Sequence, residues 1–168
     1  MSISIKVFEY ARKDEGIVYR TFEIPEGVKV EVSDGRVRVS GPLGVLEKDF
    51  GHAKVDIKVE DGKVVVSRRY RKKFDRAVVG TITSKIKNMV LGVLRGYVYE
   101  LRIVWTHFPM SVKVDKSNGL VYIEKFLGES VPRVAKIIGN VDIEVDENEG
   151  RIRVKGIDLD EVSQTAAN

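Results

Sequence analysis

From residue 28 the chain alternates. Val28, Val30 and Val32 are separated by Lys29 and Glu31, and Val37 and Val39 by Arg36, Arg38 and Ser40. A period of two puts every second side chain on one face, so both runs are predicted as strands with one wet side. Asp34-Gly35 lies between them and has the residue types of a tight hairpin, whose turn needs φ > 0. Asp61-Gly62 and Asn118-Gly119 repeat the signal, and Glu149-Gly150 is a looser version, so four hairpins are expected. At Asp75 the period changes. Val78, Val79, Ile82, Ile86, Met89, Val90 and Val93 make a 3.6-residue stripe, the mark of a helix with one apolar face. Asp75 is a candidate N-cap, and Gly96 stands where such a helix would end. The stripe reads as the face packed on the sheet, with Lys85, Lys87 and Asn88 outward. A second helical pattern starts near Asp158 with Leu159, Val162 and Ala166.

These elements come twice in the same order. VKVEVSDGRVRVSGPLG (28–44) and VKVDKSNGLVYIEKFLG (112–128) align without a gap at a spacing of 84, and eight of seventeen positions coincide. VDIKVEDGKVVVS (55–67) and VDIEVDENEGRIRVK (141–155) form a second pair, with two extra turn residues in the later copy. A helical segment follows each. Two copies in register predict a duplicated domain. The expected organisation is α+β: an N-terminal extension over 1–22, a first repeat over 23–95 and a second over 96–168, each of antiparallel hairpins packed with one helix. GYVYELRIVW (96–105) opens the second repeat as a strong β-former. The short connection, with no Pro- or Ser-rich linker, predicts rigid coupling of the two. Ile3, Ile5 and Val7 alternate in part, so the extension reads as an extra edge strand or a mobile arm.

Composition narrows the function classes. The 168 residues contain no cysteine, which excludes a disulfide framework, thiolate metal sites and a cysteine nucleophile. No stretch approaches the roughly 18 apolar residues of a membrane span, and the N-terminus lacks the pattern of a secretory signal, so a soluble, cytoplasmic protein without membrane or DNA partners is expected. The net charge is +4, unevenly spread. Residues 1–94 hold 19 Lys/Arg against 13 Asp/Glu (+6), and residues 95–168 hold 10 against 12 (−2). Lopsided positive charge points to a polyanionic partner.

Catalytic signals are lacking. His52 and His107 stand apart, and no GxSxG, HExxH or P-loop pattern occurs. DENEG (146–150) lacks the spacing of a calcium loop and reads as a hairpin tip. No enzyme activity, cofactor or metal is expected. What remains is charge interleaved with aromatic residues. RRYRKKF (68–74) supplies Arg68, Arg69, Tyr70, Arg71, Lys72 and Lys73 in the strand-to-helix connection of the first copy. Its twin in the second copy is KGIDL, so the shared fold does not demand the charge. Cations neutralise phosphates and planar groups stack on unpaired bases, so the run suits RNA. KFLGESVPRVAK (125–136) is the second candidate, with Lys125, Arg133 and Lys136 around a turn that carries Phe126 and Gly128. The rival reading is a protein–protein adaptor whose basic loop docks on an acidic partner.

IPEGVKVEV (24–32), VRVSGPLGVLEKDF (37–50), GTITSKIKNMVLGVLRGYVYEL (80–101), THFPM (106–110) and FLGE (126–129) together resemble the L-six family of large-subunit ribosomal proteins, in its archaeal and eukaryotic branch. The resemblance runs from about Glu23 to Asn168. It implies two similar α+β domains, binding to large-subunit rRNA near the sarcin–ricin loop at the base of the factor-binding stalk, and neighbouring large-subunit ribosomal proteins as partners. By the same resemblance the FLGE turn and Arg133 belong to the rRNA-facing edge of the second domain. The basic loop 68–73 is a further contact that rests on its charge. The YKGKG-like loop of the bacterial branch is not present in these 168 residues, and the basic tail of the archaeal and eukaryotic branch would lie beyond Asn168.

Overall fold

The computed structural model describes residues 5–12, 16–104 and 109–168, with the side chains of 9–12 left aside. Two compact units divide the chain, Met1–Arg95 and Gly96–Asn168. In chain order the first runs β1 (Val7–Arg12), β2 (Ile17–Glu23), β3 (Lys29–Ser33), β4 (Arg36–Gly41), β5 (Gly44–Asp49), β6 (Asp56–Glu60), β7 (Lys63–Arg69) and α1 (Lys73–Arg95). The second runs β8 (Tyr97–Arg102), β9 (Ser111–Asp115), β10 (Leu120–Glu124), β11 (Arg133–Lys136), β12 (Asp142–Asp146), β13 (Arg151–Gly156) and α2 (Leu159–Ala167). The architecture is α+β, and every strand pairing is antiparallel.

The first unit holds a four-stranded sheet in the order β1-β2-β7-β6 and a three-stranded one, β3-β4-β5. The second holds β11-β10-β9 and β12-β13-β8. The four hairpins form where Asp/Asn/Glu-Gly was read. At Asp34-Gly35 (φ 48° and 81°) and Asp61-Gly62 (φ 48° and 72°) both residues are left-handed, the type I′ geometry that matches strand twist.

The topology also shows what β2 is. It lies inside its sheet, between β1 and β7, with Thr21 opposite Val65 and Phe22 opposite Val64. In the second unit β8 lies against β13 in the same way. The strand that opens the second unit therefore has its counterpart within residues 1–22, the stretch read from sequence as an extension. Val18 and Phe22 are almost fully buried there. Only β1 has no equivalent in the second unit among the described residues.

Val37 and Val39 of β4, Val64 and Val66 of β7, and Val79, Ile86, Val90 and Val93 of α1 complete the first core. The helical stripe is thus a core face, as its period predicts. Length and composition alone would let α1 cross a membrane, so the expectation that no stretch approaches a span is corrected here; half of its apolar window is buried inside the unit. Ile143, Val154 and Val162 centre the second core, ringed by half-buried Tyr97, Leu101, Val114 and Val121.

The two helices begin differently. Asp158 caps α2 and accepts from the N–H of Asp160 at 2.9 Å. Asp75, expected as the cap of α1, lies in its first turn. Its Oδ2 reaches back to the N–H groups of Arg71 and Lys72, both at 2.9 Å. The connection supplies two backbone donors that need an acceptor, and the carboxylate serves both at once.

Candidate nucleic-acid interface

The run at 68–74 spans the end of β7, a three-residue connection and the start of α1. Its five cations separate into two roles. Arg68 turns inward: its Nη1 donates to the carbonyl of Ala53 at 2.7 Å and its Nε to Asp75 Oδ1 at 2.8 Å. The Arg68 side chain is 24% exposed. The N–H groups of Arg71 and Lys72, with the Arg68 guanidinium added, hold the Asp75 carboxyl below its ordinary range. Arg68 is therefore a residue of the fold, and the run presents four cations to solvent, not five. Arg69, Arg71, Lys72 and Lys73 are exposed, and none forms an ion pair among the described residues. Tyr70 is half exposed, and its N–H donates to the carbonyl of Gly16 at 2.6 Å, which ties the loop to the start of β2.

Tyr70 and Lys73 also line one end of an open groove along α1, whose walls include Arg20, Arg76 and Lys85. Sequence reasoning missed these three. Arg20 lay in the supposed extension. Arg76 and Lys85 are wet-face positions of the helix, where isolated cations carry no signal until the fold sets them beside a strand.

The second candidate is built differently. Lys125 (φ 57°), Leu127 (φ 50°) and Gly128 (φ 81°) are all left-handed, so two tight turns follow one another. The N–H of Gly128 donates to Lys125 O at 3.2 Å, and that of Glu129 to Phe126 O at 2.9 Å. The arrangement pushes Leu127 out to 73% exposure. Phe126 is half-buried beneath the Arg133 guanidinium, whose carbon lies 4.1 Å from the ring centroid. Arg133 is fixed further by two bonds to Glu129, Nη2 to Oε1 at 2.7 Å and Nε to Oε2 at 2.9 Å. The same contact lowers the Glu129 carboxyl. A guanidinium has five N–H donors, so Arg133 is oriented and keeps most of them for a ligand. Lys125, Gly128 and Lys136 are exposed. So are Val131 and Val134, and this edge is a hydrogen-bonded, partly apolar turn with a few cations, unlike the bare charge of the first loop.

The remaining candidates take ordinary places. His52 is exposed on a single 3-10 turn, and His107 lies outside the described residues. In DENEG, Asp146 accepts from the N–H groups of Asn148 and Glu149 and closes the β12–β13 hairpin. No three His, Cys, Asp or Glu side chains gather as a metal site among the described residues.

Comparison with known proteins bears on what these surfaces serve. The family model described as ribosomal protein L6 matches residues 24–96 and 108–168. A large ribosomal subunit protein uL6 from Staphylothermus marinus is 45% identical over 152 residues, covering 90% of this chain and 82% of that protein. The protein of the same name from Desulfurococcus amylolyticus is 46% identical, covering 87% and 79%. That from Methanothrix thermoacetophila is 45% identical, covering 90% and 84%.

Proposed function

Because the chain belongs to the ribosomal protein L6 family, structural constituents of the large ribosomal subunit and not enzymes, we propose that it binds large-subunit rRNA through two surfaces and fixes it in place. One is the cationic loop of the first unit, Arg69 to Lys73. The other is the edge of the second unit formed by Lys125, Phe126, Gly128, Arg133 and Lys136. The site it serves lies near the sarcin–ricin loop, at the base of the factor-binding stalk, in cytoplasmic ribosomes and beside neighbouring large-subunit proteins. Nothing in the mechanism requires chemistry: cations meet phosphates and displace counterions, and held side chains set the register of the RNA.

The observation that carries this reading is the exposure of four consecutive-region cations without an ion pair among the described residues. Self-repulsion of such a cluster is relieved when a polyanion covers it. The oriented Arg133 adds a second argument, since a guanidinium locked over an aromatic ring is pre-set for a phosphate or a base edge. The test is binding of the purified chain to large- and small-subunit rRNA side by side at raised salt. Selective retention of large-subunit rRNA is expected. Equal binding to both, abolished by salt, would reduce the surfaces to unspecific charge. Indifference to either RNA with capture by an acidic protein would favour an adaptor.

A further inference from the structure

The two sheets of the first unit meet at a seam. β3 is an outer strand of one sheet and β6 of the other; they lie side by side, and no ladder joins them. Backbone N–H and C=O groups on such edges are open to a further chain. A cleft of about 530 Å³ runs along the seam. Val32 and Ile57 give it an apolar lining, and Asp34, Asp56, Glu60 and Lys58 give it charge. Three carboxylates thus stand against one ammonium. None of these four side chains forms an ion pair or a hydrogen bond among the described residues. Lys63 stands opposite Glu60 in the register, but its ammonium lies 3.6 Å from Glu23.

The duplication supplies a comparison within the chain. In the second unit β9 and β12 are the matching outer strands, and the aligned repeats set Val32 against Lys116 and Asp56 against Asp142. There the seam is bridged. Lys116 Nζ lies 2.6 Å from Asp142 Oδ1 and holds the Asp142 carboxyl below its ordinary range. The other counterparts are occupied too. Asn118, in the place of Asp34, donates to Asp115. Glu144, in the place of Lys58, accepts from Lys155. Asp146, in the place of Glu60, closes its own hairpin. One pattern therefore gives an answered seam in the second unit and an unanswered one in the first. What the first lacks is the lysine.

We propose that the β3–β6 cleft docks an extended, lysine-rich segment of a partner protein. One ammonium of that segment takes at Asp56 the place that Lys116 takes at Asp142. Asp34 and Glu60 receive its further cations, and its main chain meets the open strand edges, as in strand addition. The sign of the charge selects such a segment and repels the phosphates of RNA. The inference is independent of the rRNA-binding reading and uses none of the residues assigned there.

The probe is a fluorescein-labelled peptide of four Lys-Val repeats, titrated against the full chain by anisotropy at low salt. A peptide of four Glu-Val repeats is the reversed-charge control. The net charge of +4 repels the lysine peptide overall, so its retention reports a local acidic site. Saturable binding of the lysine peptide alone is expected. Asp56→Asn should weaken it about threefold, and Asp56→Asn/Glu60→Gln about tenfold. Val32→Lys should install the pair of the second unit and weaken binding as much as the double change. Asp56 and Glu60 are exposed, so their variants report even if Val32→Lys folds poorly. Glu147→Gln, on an exposed hairpin of the second unit, should change nothing. Absence of saturable binding overturns the proposal, as does equal weakening by Glu147→Gln, which would mean unspecific charge. Displacement of the peptide by magnesium at an ionic strength where sodium chloride has no effect would make the cleft a cation site and overturns it as well. Selectivity for large-subunit rRNA should be the same in the parent chain and in Asp56→Asn, so the two readings fail separately.

Discussion

Asp75 accepts from two backbone N–H groups and from Arg68 at the same time, and these contacts lower its carboxyl below the ordinary value near 3.9. A carboxyl depressed in the folded state stabilises the fold fully above its unfolded pKa, and that contribution fades as pH falls through the lowered folded value. Asp75→Asn keeps an acceptor and loses the charge. Urea midpoints of the parent and of this variant should therefore differ by a constant amount above about pH 5 and converge toward pH 2. A gap that persists unchanged at pH 2 would show that the charge at Asp75 contributes nothing. The same pairing explains why sequence misjudged Arg68. Seven residues in a row gave five cations, and charge alone cannot say which one meets a carboxylate seven positions later. Leu127 was equally hidden: nothing in FLGE announces a non-glycine residue at φ 50°, a conformation that costs of order 1 kcal/mol and persists only where the surroundings enforce it.

At the scale of elements, the hairpins and α1 were legible because each rests on a local signal. Asp-Gly sets a turn, and a 3.6-residue stripe sets a helix, whatever lies around them. β2 was not legible. Its sequence, IVYRTFE, has Val18 and Phe22 buried four positions apart, a spacing that fits helix and strand alike and shows no clean alternation. What makes it a strand is pairing with β7, a contact distant in sequence. Internal repetition could have revealed it, since the opening strand of the second copy required a partner in the first, but the aligned residues start only at Val28. If β2 belongs to the core, Phe22→Ala should cost about 3–5 kcal/mol, the usual penalty for emptying a fully buried aromatic site, measured by chemical denaturation of the full chain. A loss below 1 kcal/mol would return residues 1–22 to the status of an appendage. The groove inherits this dependence, because one of its walls is β2.

Over the whole molecule, the net charge of +4 conceals an unequal division of labour between the units. The first offers bare cations and the second a braced turn whose arginine is already paired with Glu129. Their contributions to RNA binding should differ in kind. Replacing Arg69, Arg71, Lys72 and Lys73 with Gln should flatten the salt dependence of rRNA binding by about 3 in log–log slope, four contacts at ~0.7 each, and leave the thermal midpoint nearly unchanged. Adding Arg68→Gln should lower that midpoint and change the slope no further. A slope unaffected by the fourfold change would place the loop away from RNA. The order in which the chain is made sets one more condition. β2 must wait for β7, since Glu23 pairs with Lys63 and Ile17 with Arg69. At about 5–20 residues per second of synthesis, the β1–β2 hairpin spends roughly two to eight seconds with Val18 and Phe22 uncovered before its partner emerges. A nascent chain of this design is exposed to wrong partners early, and that exposure ends only when α1, which packs on both β2 and β7, has emerged to cover the face of the sheet.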